Sequence, residues 1–259
     1  VASELSSNVS TIYSTGSAFA ELTEDGSVVT WGSSNSGGDS SSVASELSSG
    51  VSAIYSTLYS FAALKEDGSV VTWGDSSFGG GDSSSVASEL SSGVITIFSN
   101  WRAFAALKEN GSVVTWGGSV EGGDSSSVAS ELSSGVSTIC STYNGAFAAL
   151  KENGSVVTWG RYSYGGDSSS VYSELYYGVN AIYSTHYAFA ALKEDGSVVT
   201  WGDSSYGGDS SNVASELSSG VSTIYSTYSA FAAVKDDGSV VTWGDSSYGG
   251  DSSNVASEL

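Results

Sequence analysis

The chain rewrites one sentence every 42 or 43 residues. "VASEL" or a close variant begins at 1, 43, 86, 128, 171, 213 and 255, and "TWG" ends at Gly32, Gly74, Gly117, Gly160, Gly202 and Gly244. A repeat of this size is one supersecondary unit that cannot bury its apolar face alone, so neighbours must stack into a continuous core. The 259 residues are therefore read as a single repeat domain, with units near 1–42, 43–85, 86–127, 128–170, 171–212 and 213–254 and a terminal 255–259.

Within one unit, β-branched "GVSAIY" (Gly50 to Tyr55) predicts a strand, and "SFAALK" (Ser60 to Lys65) a second. The turn "EDG" at Glu66 to Gly68 then joins it to a third, "SVVTW" (Ser69 to Trp73), as a hairpin. A fourth strand is expected within "DSSSVASEL", residues 82–90, although "VASEL" also suits a short helical turn. Four short antiparallel strands per period, with no long helix, predict an all-β fold: a propeller of six four-stranded blades. The rival is a longer repeat array or β-solenoid. Six "TWG" hairpins flanked by seven "VASEL" copies predict a ring closed by Val1–Leu5 and Val255–Leu259 meeting at one slot.

Composition narrows the partners. The formal net charge is −21, from 28 acidic side chains against 7 Lys and Arg. Nucleic acid is excluded, because binding it depends on basic side chains that release counterions, and an anionic membrane surface is disfavoured by the same sign. No apolar run is long enough for a membrane helix, and the first ten residues lack the basic and apolar regions of a signal peptide. Compartment is undetermined, since a single Cys, Cys140, allows no internal disulfide.

The order "GV…I…S…FAALKEDGSVVTWG…YGG" resembles the repeat of the regulator of chromosome condensation family. That resemblance implies a β-propeller, usually of seven blades with a longer repeat, so six compact units depart from the pattern. It also suggests nucleotide exchange on a small nuclear GTPase. That activity rests on loop insertions for which units of 42 residues have no room. A light-sensing relative in plants uses clustered Trp and Arg; here Trp101 and Arg102 stand once.

The constant letters read as scaffold. Trp73 and Phe61, with their counterparts, recur in each unit and suit wedges between sheets. The Asp of "GGDSS", at Asp39, Asp82, Asp124, Asp167, Asp209 and Asp251, suits a cap on its own turn better than a metal ligand. With one His and one Cys in different repeats, no catalytic or metal constellation is predicted, and no cofactor.

The changing letters fall in two loops. After "YST" or its equivalent come Leu58 and Tyr59, Trp101 and Arg102, Tyr143 and Asn144, His186 and Tyr187, then Tyr228; after "TWG", Arg161 and Tyr162 stand out. Alternating strand directions place both loops on one face, and these are residue types that anchor interfaces. The expectation is a non-enzymatic scaffold or assembly subunit that contacts a protein partner through those residues. A carbohydrate-binding propeller, with a glycan as ligand, is the first alternative. A structural segment of an acidic filament, or a designed repeat protein, is the second.

Overall fold

Val, Ile and Thr runs between glycine turns extend readily into strands. The computed structural model describes residues 8–77 and 79–255, and within them six three-stranded antiparallel sheets form, each from strands consecutive in sequence. The chain divides into two compact units, Val1–Ser127 and Val128–Leu259, and the division falls on a repeat boundary. The first unit holds the sheets β1–β3 (Val9–Ser14, Ala18–Thr23, Val28–Gly32), β4–β6 (Val51–Ser56, Ser60–Lys65, Val70–Gly74) and β7–β9 (Val94–Ser99, Ala103–Lys108, Val113–Gly117). The second holds β10–β12 (Val136–Thr142, Ala146–Lys151, Val156–Gly160), β13–β15 (Val179–Ser184, Ala188–Lys193, Val198–Gly202) and β16–β18 (Val221–Ser226, Ala230–Lys235, Val240–Gly244).

The predicted hairpin forms in each sheet. Gly68 takes φ 76°, its N–H donates to the Lys65 carbonyl at 2.9 Å, and the Asp67 carboxylate accepts from the Ser69 N–H at 3.0 Å.

The fourth strand does not form, so a blade has three strands. Residues Ser84–Val86 and Glu89–Ser91 are 3-10 turns instead, and in the fifth repeat Tyr172–Leu175 is a single α-helical turn. Short polar side chains explain the difference, because they bond to the nearby backbone and compete with a ladder. Asp82 Oδ1 accepts from the Ser84 N–H at 2.9 Å, and the Ser91 hydroxyl donates to the Ser88 carbonyl at 2.8 Å. The turn then drops Leu90 into the core, 2% exposed. The pairing of Val1–Leu5 with Val255–Leu259 lies outside the described residues.

Inside each unit, consecutive sheets meet through one repeated junction. In the first unit, Leu47, Val51, Ile54, Phe61, Ala63 and Trp73 pack on Ala18, Ala20 and Leu22 of the sheet before. The same positions join β7–β9 to β4–β6, and in the second unit β13–β15 to β10–β12 and β16–β18 to β13–β15. The middle strand is Ala-rich because it is covered on both faces: Ala62 and Ala63 are fully buried.

Polar contacts lock the junction. The Trp73 indole N–H donates to the Gly37 carbonyl at 3.0 Å, and Trp116, Trp201 and Trp243 repeat the bond to Gly80, Gly165 and Gly207, each at 3.1 Å. The ring of Phe61 lies against Gly37, where a Cβ would come within 2.6 Å of it. This close approach is why "GG" recurs.

Candidate binding face

In the first, second, third, fifth and sixth repeats two loops are tied together by the residue that ends "YST" or its equivalent. Thr57 Oγ1 accepts from the Ser60 N–H at 3.0 Å and donates to the Gly79 carbonyl at 2.8 Å. Thr185 and Thr227 donate likewise to the Tyr206 and Tyr248 carbonyls, each at 2.9 Å. In the third repeat Asn100 Nδ2 reaches the Glu121 carbonyl at 2.7 Å. The loop after the first strand and the loop after "TWG" thus emerge side by side.

Backbone bonds then join the first of these loops from repeat to repeat. In the first unit the Gly16 N–H donates to the Leu58 carbonyl at 2.9 Å and the Leu58 N–H to the Trp101 carbonyl at 3.0 Å. In the second, the Asn144 N–H reaches the His186 carbonyl at 3.2 Å and the His186 N–H the Tyr228 carbonyl at 3.1 Å. Side chains at these positions are consequently held one strand spacing, roughly 5 Å, apart.

The second unit converts this spacing into a run of aromatic rings. His186 lies between Tyr143, at 4.9 Å between centroids, and Tyr228, stacked at 3.8 Å. Tyr228 in turn stacks on Tyr248 at 5.5 Å. Tyr187 joins Tyr164 edge-on at 4.7 Å and Tyr206 at 4.2 Å, and the Arg161 guanidinium sits over Tyr164 at 5.2 Å. Offset and edge-on pairs at such distances contribute about 0.5–1.5 kcal/mol each beyond their burial, so the run holds its own shape.

Of the predicted site residues, Tyr143, Asn144, Arg161, His186, Tyr187 and Tyr228 fall in this cluster. Tyr162 stands apart, 75% exposed, with its hydroxyl bonded to Asp167, which raises its pKa. In the first unit Arg102 lies over Trp101 at 4.2 Å and near Tyr59 at 5.7 Å, and half-buried Leu58 precedes Tyr59. Three rings central to the cluster were not predicted: Tyr164, Tyr206 and Tyr248. They stand before "GG" in the fourth, fifth and sixth repeats, whereas the first and third carry Ser36 and Glu121 there. That difference was the available signal.

At three of the rings the surroundings favour the neutral form. Tyr187 is pushed up to about 12, first by its hydrogen bond with Tyr228 and then by burial, and Tyr206 is raised by burial and by neighbouring phenols and carboxylates. Burial holds His186 below the ordinary imidazole value, against a bond with the Tyr228 backbone that acts the other way. An aromatic surface with one guanidinium therefore sits on a chain of net charge −21.

No family model matches the sequence, and no curated protein matches it. Solved structures do match in fold. Human WBSCR16 is similar with a TM-score of 0.53 at 16% identity, over 93% of this chain and 77% of that one. Prp20p from Saccharomyces cerevisiae, the yeast RCC1, has a TM-score of 0.51 at 16% identity, over 91% of this chain and 72% of its own. The fold of this chain is thus the β-propeller repeat fold of the regulator of chromosome condensation type.

Proposed function

We propose that the protein is a non-enzymatic binding module whose second unit presents the aromatic cluster to a protein partner. The carrying observation is the continuous contact from Tyr143 through His186 and Tyr228 to Tyr248, which spans three repeats. Tyr side chains offer rigid area and a hydrogen-bonding hydroxyl at low entropic cost, the properties of interface anchors. Their partial exposure fits this use: Tyr143, Tyr228 and Tyr248 are 47%, 42% and 49% exposed. Prp20p, of like fold, was described with its binding to Gsp1p and histones.

A protein surface suits the cluster better than a sugar. Stacking on sugar needs open ring faces, and His186 and Tyr228 turn theirs toward each other. What they offer is edges and hydroxyls.

The test is capture by the immobilised full chain, with Tyr187→Ala/Tyr228→Ala beside wild type. We expect the variant to lose bound proteins while circular dichroism stays unchanged. Equal capture by both chains would sink the reading, and glycan-array binding lost in the same variant would replace it with the carbohydrate one.

A further inference from the structure

The turn that follows "GGDSS" reads "VASELSSG" at 43–50, 86–93, 128–135 and 213–220, but "VYSELYYG" at 171–178. Its buried letter is unchanged: Leu175 packs on β10–β12 as Leu217 of the next repeat packs on β13–β15. The new letters stay at the surface, with Tyr172, Tyr176 and Tyr177 62%, 61% and 65% exposed. Three phenols so placed enlarge the apolar surface without serving the core, which marks a contact site. The Lys193 ammonium lies over the ring of Tyr177 at 4.9 Å. That leaves Tyr172 and Tyr176 as the open pair, 6.0 Å apart and tilted by 52°.

The next repeat shows where that pair stands. Its counterparts, Ala214 and Ser218, line a groove of about 580 Å³ along β15, together with residues 198–200, Glu174, Lys193 and Asp209. Because the two turns pack alike, Tyr172 and Tyr176 stand on the like groove along β12, where the matching residues are 156–158, Glu131, Lys151 and Asp167. These polar groups are held in place. The Lys151 ammonium donates to the Glu131 carbonyl at 2.5 Å, and Asp167 Oδ1 accepts from the Ser169 N–H at 2.9 Å. Asp167 also accepts from the hydroxyl of Tyr162, which is 75% exposed. Tyr162 and the Tyr172 and Tyr176 pair are departures from the repeat that the loop cluster does not use. They are joined through Asp167 and the segment Ser169–Val171 that leads into the Tyr172 turn.

We propose that the groove along β12 binds a neutral oligosaccharide, with Tyr172 and Tyr176 as stacking platforms for its rings. The C–H faces of a sugar lie flat on open aromatic rings and bury apolar area on both sides. In the loop cluster His186 and Tyr228 close their faces against each other at 3.8 Å; Tyr172 and Tyr176 do not. The hydroxyls of a sugar need acceptors, and the carboxylates of Asp167 and Glu131 accept without donating. An anionic sugar is repelled by the same carboxylates and by the net charge of −21.

The site shares no residue with the loop cluster, so it stands or falls apart from the protein-binding reading. An array of neutral and sulfated oligosaccharides probed with the full chain tests it. Wild type binds neutral members and no sulfated one. Tyr172→Ala/Tyr176→Ser restores the letters of the other repeats, so it keeps the fold, and it weakens binding at least ~10-fold in Kd. Tyr172→Phe/Tyr176→Phe keeps the rings and binds as wild type does. Tyr187→Ala/Tyr228→Ala, which cuts the loop cluster, leaves sugar binding unchanged. Melting curves confirm that each variant is folded. The proposal is overturned if no neutral oligosaccharide binds, if binding survives Tyr172→Ala/Tyr176→Ser, or if the Phe pair loses binding as that variant does. It is also overturned if all that Tyr172→Ala/Tyr176→Ser loses is self-association in sedimentation velocity, which would make the patch a contact between copies.

Discussion

Glu21 is 1% exposed, and its Oε1 has no hydrogen-bond partner among the described residues. A buried polar atom left unpaired costs about 1–3 kcal/mol relative to one that is satisfied or absent, while Ala at this position leaves no such group. Glu21→Ala should therefore raise the unfolding free energy by about 1–3 kcal/mol, read as a higher urea midpoint with an unchanged slope. A lower midpoint would show that the carboxylate is held by something the unpaired oxygen does not reveal. Cys140 is the contrasting case: burial raises its thiol pKa, which keeps it protonated and unreactive.

At the scale of elements, the turn that replaced the expected fourth strand is an anchor. Leu217 is 2% exposed and packs with Ala188, Ala190, Phe231 and Trp243 between two sheets. Leu217→Ala should cost about 2–5 kcal/mol, measured by chemical unfolding, whereas Ser218→Ala removes one exposed hydroxyl bond to Ser215 and should cost under about 1 kcal/mol. The three strands of each blade were legible because β-branched runs end at Gly turns whose geometry is local. The turn was legible only as an alternative to a fourth strand, because a single buried Leu among serines carries no period to distinguish a strand from a helix. The face was legible in its departures from the repeat, such as His186 and Tyr187. Tyr164, Tyr206 and Tyr248 recur at one position before "GG", and so did not stand out as departures. Only the Thr hydroxyl bonds to the Tyr206 and Tyr248 carbonyls show that these rings belong with the variable loop.

For the molecule as a whole, many of its 28 acidic groups are built into turns. Asp67, Asp195 and Asp237 sit below the ordinary value because of bonds from the hydroxyl and N–H of the Ser two residues on. Asp39, Asp82 and Asp209 do so through the backbone N–H first. A folded pKa below the unfolded value of 3.8 means that this stability is fully present above pH 3.8 and is lost as pH falls through the depressed values. Thermal melting across an acid series should thus show a falling midpoint below about pH 4, and a midpoint rising there would mean that relief of the −21 net charge outweighs the caps. The repeated Phe-into-Gly junction has one more consequence. The junctions described inside the two units use like residues at like positions, so the blades they join are close to interchangeable there. Duplication or deletion of one 42-residue repeat inside a unit therefore rebuilds a junction of the same kind, and this part of the array can change in whole steps while the variable loops record which blade is which.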